Sequence, residues 1–187
     1  GIKRTVYASS VAALGMPPQG PWKETLYGAY KQANEHTAFV FFADWGVPSI
    51  GIRPNIVFGL ARDQGYSSKN TVAIQAAVLE KKYDIPFTGN YSWLYAGEAA
   101  SAFITSVSKD MKEAKVFNLN GDCKKIEDGI SILRKLDSNI NITCSGKPVP
   151  FPPDLDDNPL REYIGNYASI SFAVSYTHLR AHETAYY

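Results

Sequence analysis

Tyr27 and Lys31 are four residues apart and form the pair in this sequence best suited to proton transfer. On a helix, residues at this spacing lie on one face and within reach of each other. A free phenol has a pKa of about 10 and is a poor proton shuttle near neutral pH. A nearby ammonium group stabilises the phenolate, which favours general acid–base catalysis. Taken alone, the pattern also fits a surface lysine beside a half-buried tyrosine.

A helix from Tyr27 to Trp45, ended by Gly46, is predicted to carry this pair. Apolar residues occupy much of its circumference, which predicts burial on two sides, against a sheet and against another helix or subunit. We therefore expect a homodimer that packs through the 27–45 helix.

Strands are predicted on both sides of this helix, from Ile2 to Ala8 and from Ile50 to Pro54. Strand, helix and strand with short connections form a parallel crossover unit. Because ligands of such sheets bind beyond the carboxyl ends of the strands, Ser10 and Asn55 are expected to face one crevice. The start of the helix should face the same crevice.

A polar loop from residue 60 to residue 70 follows the second strand. Arg62, Gln64 and Lys69 lie on it and could hold a phosphate or carboxylate of the substrate, whereas the alternative is a solvated loop with local turn contacts. Beyond the loop, helices are predicted near 71–81, 97–108, 126–136 and 159–164, and strands near 85–88, 116–119 and 142–144.

The composition is that of an ordinary soluble protein, with 45% apolar, 20% charged and 13% aromatic residues in 187. A formal net charge of +1 gives no electrostatic reason to expect nucleic acid or an anionic membrane as partner. No apolar run is long enough to span a bilayer. Cys123 and Cys144 form no metal-ligand pattern, and we expect two buried free thiols in a reducing cytoplasm and no metal site.

Both ends of the sequence are unusual. It opens on Gly1 rather than Met, as if in mid-protein. Residues Val174 to Thr184 equal the translation of a transposase-based sequencing adapter in one reading frame. We therefore expect residues 174–187 to be an artefactual tail, which removes His178 and His182 from any site.

Four stretches of the sequence form a pattern when taken in order: Val6–Ser10, Tyr27–Glu35, Gly51–Gly59 and Arg62–Gly65. Together they resemble the extended short-chain dehydrogenase/reductases, specifically the NAD-dependent epimerase/dehydratase family of nucleotide-sugar enzymes. The resemblance runs from residue 1 to about residue 173.

This resemblance implies roles for individual residues. Ser10 would hydrogen-bond the reacting oxygen of the substrate, with Ser9 as a structural neighbour. Tyr27 would donate or accept the hydroxyl proton, while Lys31 favours the phenolate and binds the nicotinamide ribose.

The resemblance also implies a cofactor and a substrate class. Pro54 and Asn55 fall where the family's backbone contacts the nicotinamide carboxamide, so NAD is expected, with NADP not excluded. The substrate would be a sugar or nucleotide-sugar, hydrogen-bonded by Ser10.

The sequence departs from the family pattern in three places. Residues 1–20 contain no Gly-x-x-Gly-x-x-Gly turn for the pyrophosphate. Ile56 stands where many members have asparagine, and Glu98 alone keeps an acid where the family often has Val-Asp-Asp.

We therefore expect an α/β fold that is the carboxyl-terminal part of a Rossmann-like doubly wound parallel sheet, without its phosphate-binding half. Residues 1–60 would be the partial dinucleotide-binding domain with the catalytic helix. Residues 61–173 would be a smaller α+β substrate lobe, with 116–120 returning to the main sheet.

Three functions remain open at this point. The leading one is an NAD(P)-dependent epimerase, dehydratase or oxidoreductase acting on sugars, of which this chain is an inactive fragment. A simple NAD(P)-dependent carbonyl reductase is the second. The third is a catalytically inactive truncated or regulatory protein on the same fold, although such proteins commonly lack the Tyr/Lys pair.

Overall fold

A computed structural model of the chain describes residues 4–15 and 22–184, with the backbone alone at residues 182–184. The predicted strand residues 2–3 and the last three residues of the predicted tail lie outside this range. In chain order the helices and strands are β1 Thr5–Ala8, α1 Leu26–Trp45, β2 Ser49–Pro54, β3 Val57–Phe58, α2 Lys69–Val78, β4 Tyr83–Ile85, β5 Asn90–Tyr95, α3 Ala96–Ser108, β6 Ala114–Leu119, β7 Asp122–Lys125, α4 Ile126–Leu136, β8 Ile142–Cys144, α5 Asn158–Ile164 and α6 Phe172–Thr184.

Two compact units divide these elements, and each is built from three separate stretches of chain. Unit 1 takes in the described residues of 1–55, 98–120 and 150–168, and unit 2 takes in those of 56–97, 121–149 and 169–187. The boundary predicted at residue 60 concerns which part of the chain binds the cofactor and which part binds the substrate. This division stays a prediction.

Unit 1 contains a parallel sheet with the strand order β1–β2–β6. In the central strand, Ile50 and Ile52 on one face and Ser49 and Gly51 on the other are all buried, as expected for a strand covered on both faces. Ala8 of β1 is level with Ile52, and Pro54 is level with Leu119 of β6. The predicted parallel crossover is confirmed, and the carboxyl ends of all three strands meet at one edge.

Helix α1 begins and ends where its flanking residues dictate. The hydroxyl of Thr25 accepts a hydrogen bond from the Gly28 backbone N–H at 2.9 Å, which caps the first turn. Gly46 adopts φ 64°, the left-handed conformation that ends many helices and that glycine reaches without strain.

The apolar side chains of α1 are only partly covered within the described residues. Gly28 and Glu35 are buried, whereas Phe39 is 45%, Val40 52% and Trp45 65% exposed. The described residues of this chain therefore do not bury α1 on two sides as predicted.

Unit 2 is organised around β5, which pairs in parallel with β3 and antiparallel with β7. A second pair of parallel strands joins β4 to β8. Aromatic rings fill the core: Trp93 of β5 packs 4.2 Å from Phe172 of α6 and 5.8 Å from Phe58 of β3, measured between ring centroids. Neither β5 nor β7 was predicted from the sequence.

Most of the predicted artefactual tail, residues 174–187, falls in α6. Tyr176 and Leu179 are 1% and 2% exposed, so the structure packs this helix into unit 2 rather than leaving it outside the fold. An apolar helical face can be buried whatever the origin of its codons, and the adapter origin stays a prediction.

The expectation of two buried cysteines is wrong. Cys123 is exposed and Cys144 is half-buried, and neither is in a disulfide. Cys123 lies on the outward-facing side of β7, where alternate residues point to solvent. In the part of the chain that the structure describes, no His, Cys, Asp or Glu cluster is arranged to hold a metal, and no helix is long and apolar enough to cross a membrane.

Candidate functional site

Tyr27 and Lys31 share one face of the first turns of α1, as predicted. The ammonium nitrogen of Lys31 lies 5.4 Å from the centre of the Tyr27 ring. The same nitrogen donates a hydrogen bond to the Ala8 carbonyl at 2.6 Å. Lys31 thus links the tyrosine helix to the carboxyl end of β1, while the Tyr27 side chain remains 53% exposed.

Ser10 lies two residues after the end of β1 and directly precedes the 3-10 turn Val11–Gly15. Its hydroxyl accepts a hydrogen bond from the Ala12 N–H at 3.1 Å. Helix α1 approaches this turn so closely that a Cβ on Gly28 would lie 2.3 Å from the Ala12 carbonyl oxygen. The turn that carries Ser10 and the turn that carries Tyr27 are therefore in direct backbone contact.

Asn55 leaves the end of β2 with its side chain buried and bonded inside unit 1. Its amide nitrogen Nδ2 donates to Asn120 Oδ1 at 2.9 Å and to the Pro152 carbonyl at 3.0 Å. Its backbone N–H donates to the Leu119 carbonyl at 2.9 Å. A cofactor contact at Pro54 and Asn55 would thus be made by other backbone atoms of this strand end.

Arg62, Gln64 and Lys69 belong to unit 2, whereas Ser10, Tyr27, Lys31, Pro54 and Asn55 belong to unit 1. The Arg62 guanidinium donates to the Gln64 carbonyl and to the Ser67 hydroxyl. Lys69 is the first residue of α2. These bonds match the local turn contacts left open by the sequence, and substrate binding by these residues stays a prediction.

The pairing of Glu35 with Arg53 was not predicted from the sequence, although both residues lie in stretches that carry the family resemblance. Their side chains form a bidentate ion pair in which Glu35 is 3% exposed. The four-residue spacing from Lys31 places Glu35 on the same helical face, but it does not identify Arg53 as its partner.

Tyr7 lies close enough to this ion pair to feel both charges, and its phenol is buried against Gly51. Burial raises the pKa of Tyr7 to about 12, the negative charge of Glu35 adds to the rise, and Arg53 opposes it. Tyr7 therefore stays protonated near neutral pH.

A groove of about 500 Å³ runs beside β1 and α1, lined mainly by apolar atoms. Thr5, Phe41 and Val47 are among its lining residues, but Ser10, Tyr27 and Lys31 are not. The groove is therefore not lined by these three residues of the candidate site.

The parallel sheet of unit 1, with α1 crossing from β1 to β2, is a Rossmann-like α/β fold. The chain belongs to the NAD dependent epimerase/dehydratase family, whose model matches residues 1–119. The resemblance seen in the sequence is confirmed. No curated protein sequence matches the chain.

Solved structures with the same fold come from several enzymes. A GalE-like L-threonine dehydrogenase from Cupriavidus necator superposes with a TM-score of 0.84 at 19% identity, covering 96% of this chain and 65% of its own. UDP-N-acetylglucosamine 4-epimerase from Bacillus cereus gives 0.74 at 20% identity, covering 94% and 62%. UDP-glucuronic acid 4-epimerase from the same organism, in complex with UDP-glucuronic acid and NAD, gives 0.77 at 19% identity, covering 98% and 62%. The chain thus spans less than two thirds of the length of these three proteins, and at such identities the likeness shows the fold.

Proposed function

We propose that the full-length protein is an NAD(P)-dependent sugar or nucleotide-sugar epimerase, dehydratase or oxidoreductase in which Ser10, Tyr27 and Lys31 carry the proton transfer. The observation that carries this proposal is the placement of Lys31. Its ammonium nitrogen lies over the Tyr27 ring and is held at the carboxyl end of β1 by the Ala8 carbonyl. The fragment described here is proposed to be inactive by itself, since it contains no glycine-rich pyrophosphate turn.

The three side chains divide the work on the substrate hydroxyl. Tyr27 is exposed and takes the proton of the substrate hydroxyl onto its phenolate oxygen. The hydride leaves the carbon that bears this hydroxyl. The Lys31 charge favours the phenolate before this transfer. Ser10 hydrogen-bonds the substrate oxygen that changes from a hydroxyl to a carbonyl oxygen. The charge on this oxygen changes during the reaction.

The nicotinamide half of NAD fits the residues at this edge of unit 1. A lysine ammonium has three donors, and the Ala8 carbonyl takes one of them, which suits the others to ribose hydroxyls. The end of β2 at Pro54 and Asn55 offers backbone atoms for the carboxamide. When bound, NAD supplies the hydride acceptor. The NAD complex of the B. cereus glucuronic acid epimerase supports NAD as the cofactor.

Incubation of the full-length protein with NAD and candidate substrates tests the proposal. UDP-N-acetylglucosamine and UDP-glucuronic acid are the sugar probes, and L-threonine is the probe for amino-acid oxidation. An epimerase is expected to give the epimer, seen by NMR, without net NADH, whereas an oxidoreductase accumulates NADH. Conversion of L-threonine alone would contradict the sugar assignment. NAD binding without conversion of any probe would favour a silent dinucleotide-binding regulator.

Homodimer formation through α1 is part of the proposal, supported by the exposed apolar side chains of this helix. Replacing Phe39, which is 45% exposed, by lysine is expected to convert the dimer into a monomer, because a charge would be buried in an apolar contact. Sedimentation of the full-length protein at micromolar concentration measures this. Ile104→Lys on α3, at a position 66% exposed, is the matched control and should leave the dimer intact. A monomeric wild-type protein would contradict the dimer.

A further inference from the structure

A buried ion pair in unit 1 joins Glu35 of α1 to Arg53 of β2. Arg53 Nε donates to Glu35 Oε1 at 2.7 Å, and Arg53 Nη2 donates to Oε2 at 2.5 Å. The Ser9 hydroxyl also donates to Oε1. The side chain of Glu35 is 3% exposed and that of Arg53 22%. This carboxylate therefore accepts three directed hydrogen bonds away from bulk water.

The three bonds connect three parts of the chain that also carry the proposed site: helix α1, strand β2 and the segment after β1. If Ser9, Arg53 or Glu35 moved, the site residue next to it in the chain would move too. The backbone that joins each pair is only a strand end or a single helical turn. The Ser9 backbone is fixed as well, since its N–H donates to the Ile52 carbonyl at 2.7 Å. The neighbouring pairs are Ser9 with Ser10, Arg53 with Pro54, and Glu35 with Lys31 one helical turn earlier.

We propose that Glu35, held by Arg53 and Ser9, is a positioning residue that sets where α1 presents Tyr27 and Lys31 relative to Ser10. For turnover, this inference rests on the proposed function. Glu35 acts through its neighbours, because its carboxylate oxygens are bonded to Arg53 and Ser9 in the interior of the unit rather than directed at a substrate.

A stabilising role alone accounts less well for this arrangement. A buried ion pair often contributes no more to stability than a well-packed hydrophobic pair of similar volume. What apolar side chains lack is direction, whereas a guanidinium and a carboxylate bonded in parallel specify both the distance and the angle between their elements. The bidentate geometry therefore points to placement of α1 as the property that the ion pair provides.

The experiment compares Glu35→Gln with the double variant Glu35→Leu/Arg53→Leu in the full-length protein. Glu35→Gln removes the charge and is expected to lower the melting temperature and to reduce kcat at least tenfold with little change in KM, because small misplacements of reacting groups are costly. The double variant is expected to restore the melting temperature without restoring kcat. Glu162→Gln, an exposed glutamate on α5, is the matched control and should change neither.

A second readout follows Tyr27 itself and needs no substrate. Tyrosine labelled with ¹³C at Cζ gives a Tyr27 signal that is assigned by its loss in Tyr27→Phe. We expect Glu35→Gln and the double variant to shift this signal, and Glu162→Gln to leave it unchanged. An unchanged Tyr27 signal in both Glu35 variants, or recovery of kcat in the double variant, would overturn the positioning role. A shifted signal in a protein that converts no probe would support the positioning role and count against the proposed function.

Discussion

Replacing Tyr27 by phenylalanine is expected to reduce turnover of the full-length protein by about a hundredfold to ten-thousandfold, the usual contribution of a general acid–base group. The substitution removes one oxygen from a ring that is 53% exposed, so the fold should be unaffected. Affinity for NAD should also change little, because Lys31 keeps its bond to Ala8 and its place at the strand end. Steady-state kinetics together with NAD titration by calorimetry measure the two effects separately.

Tyr30→Phe is the matched control for this experiment. Tyr30 lies on the same helix, is 62% exposed and loses the same oxygen. It should keep wild-type turnover. If Tyr27→Phe retained its activity while binding NAD normally, the proton-transfer role of Tyr27 would be wrong.

Gly28→Ala is expected to have the second large effect, on both stability and turnover. In an isolated helix alanine is favoured over glycine by about 1 kcal/mol. Here its Cβ would lie 2.3 Å from the Ala12 carbonyl oxygen, so the helix and the 3-10 turn must separate. Overpacking of this kind costs about 1–3 kcal/mol. Because the separation moves Tyr27 away from Ser10, turnover should fall by about a hundredfold.

Chemical denaturation and steady-state kinetics measure these two effects. Ala33→Ser adds one atom at an exposed position of the same helix and should change the free energy of unfolding by less than about 0.5 kcal/mol. A Gly28→Ala protein with greater stability and full activity would show that the close approach of α1 to Ala12 is unimportant.

The main elements of unit 1 could be predicted from the sequence because local signals agree with the tertiary structure there. Helix α1 has a capping threonine, a long run of helix-compatible residues and a terminating glycine. The strands on either side of it are rich in β-branched residues and join through a parallel crossover. These features placed Ser10, Tyr27 and Lys31 at the correct ends of their elements.

Unit 2 was predicted less well because its strands depend on pairing rather than on local preference. In β5, Trp93 and Leu94 are both buried, so the strand lacks the alternation that marks a half-exposed strand. Its aromatic residues were the available signal. In β7, the residues Asp122 to Lys125 have little strand propensity and are extended because they pair with β5.

The ion pair between Glu35 and Arg53 could not be deduced from spacing alone. A glutamate on a helix whose neighbours are largely exposed is ordinarily solvated. It becomes a buried partner here because the parallel crossover brings the end of β2 beneath α1, and that contact exists only in the folded sheet.

The interleaved composition of the two units has a consequence for how the chain acquires its structure. Residues 114–119 complete the sheet of unit 1, and the segment 150–168 also belongs to that unit, with parts of unit 2 lying between them. Strand pairing across such separations is slow, because the loop entropy is lost before the contacts form. On the ribosome, unit 1 is therefore complete only after residue 168 has been synthesised, and a nascent chain that still lacks β6 would expose to chaperones the edge of β2 with which β6 pairs.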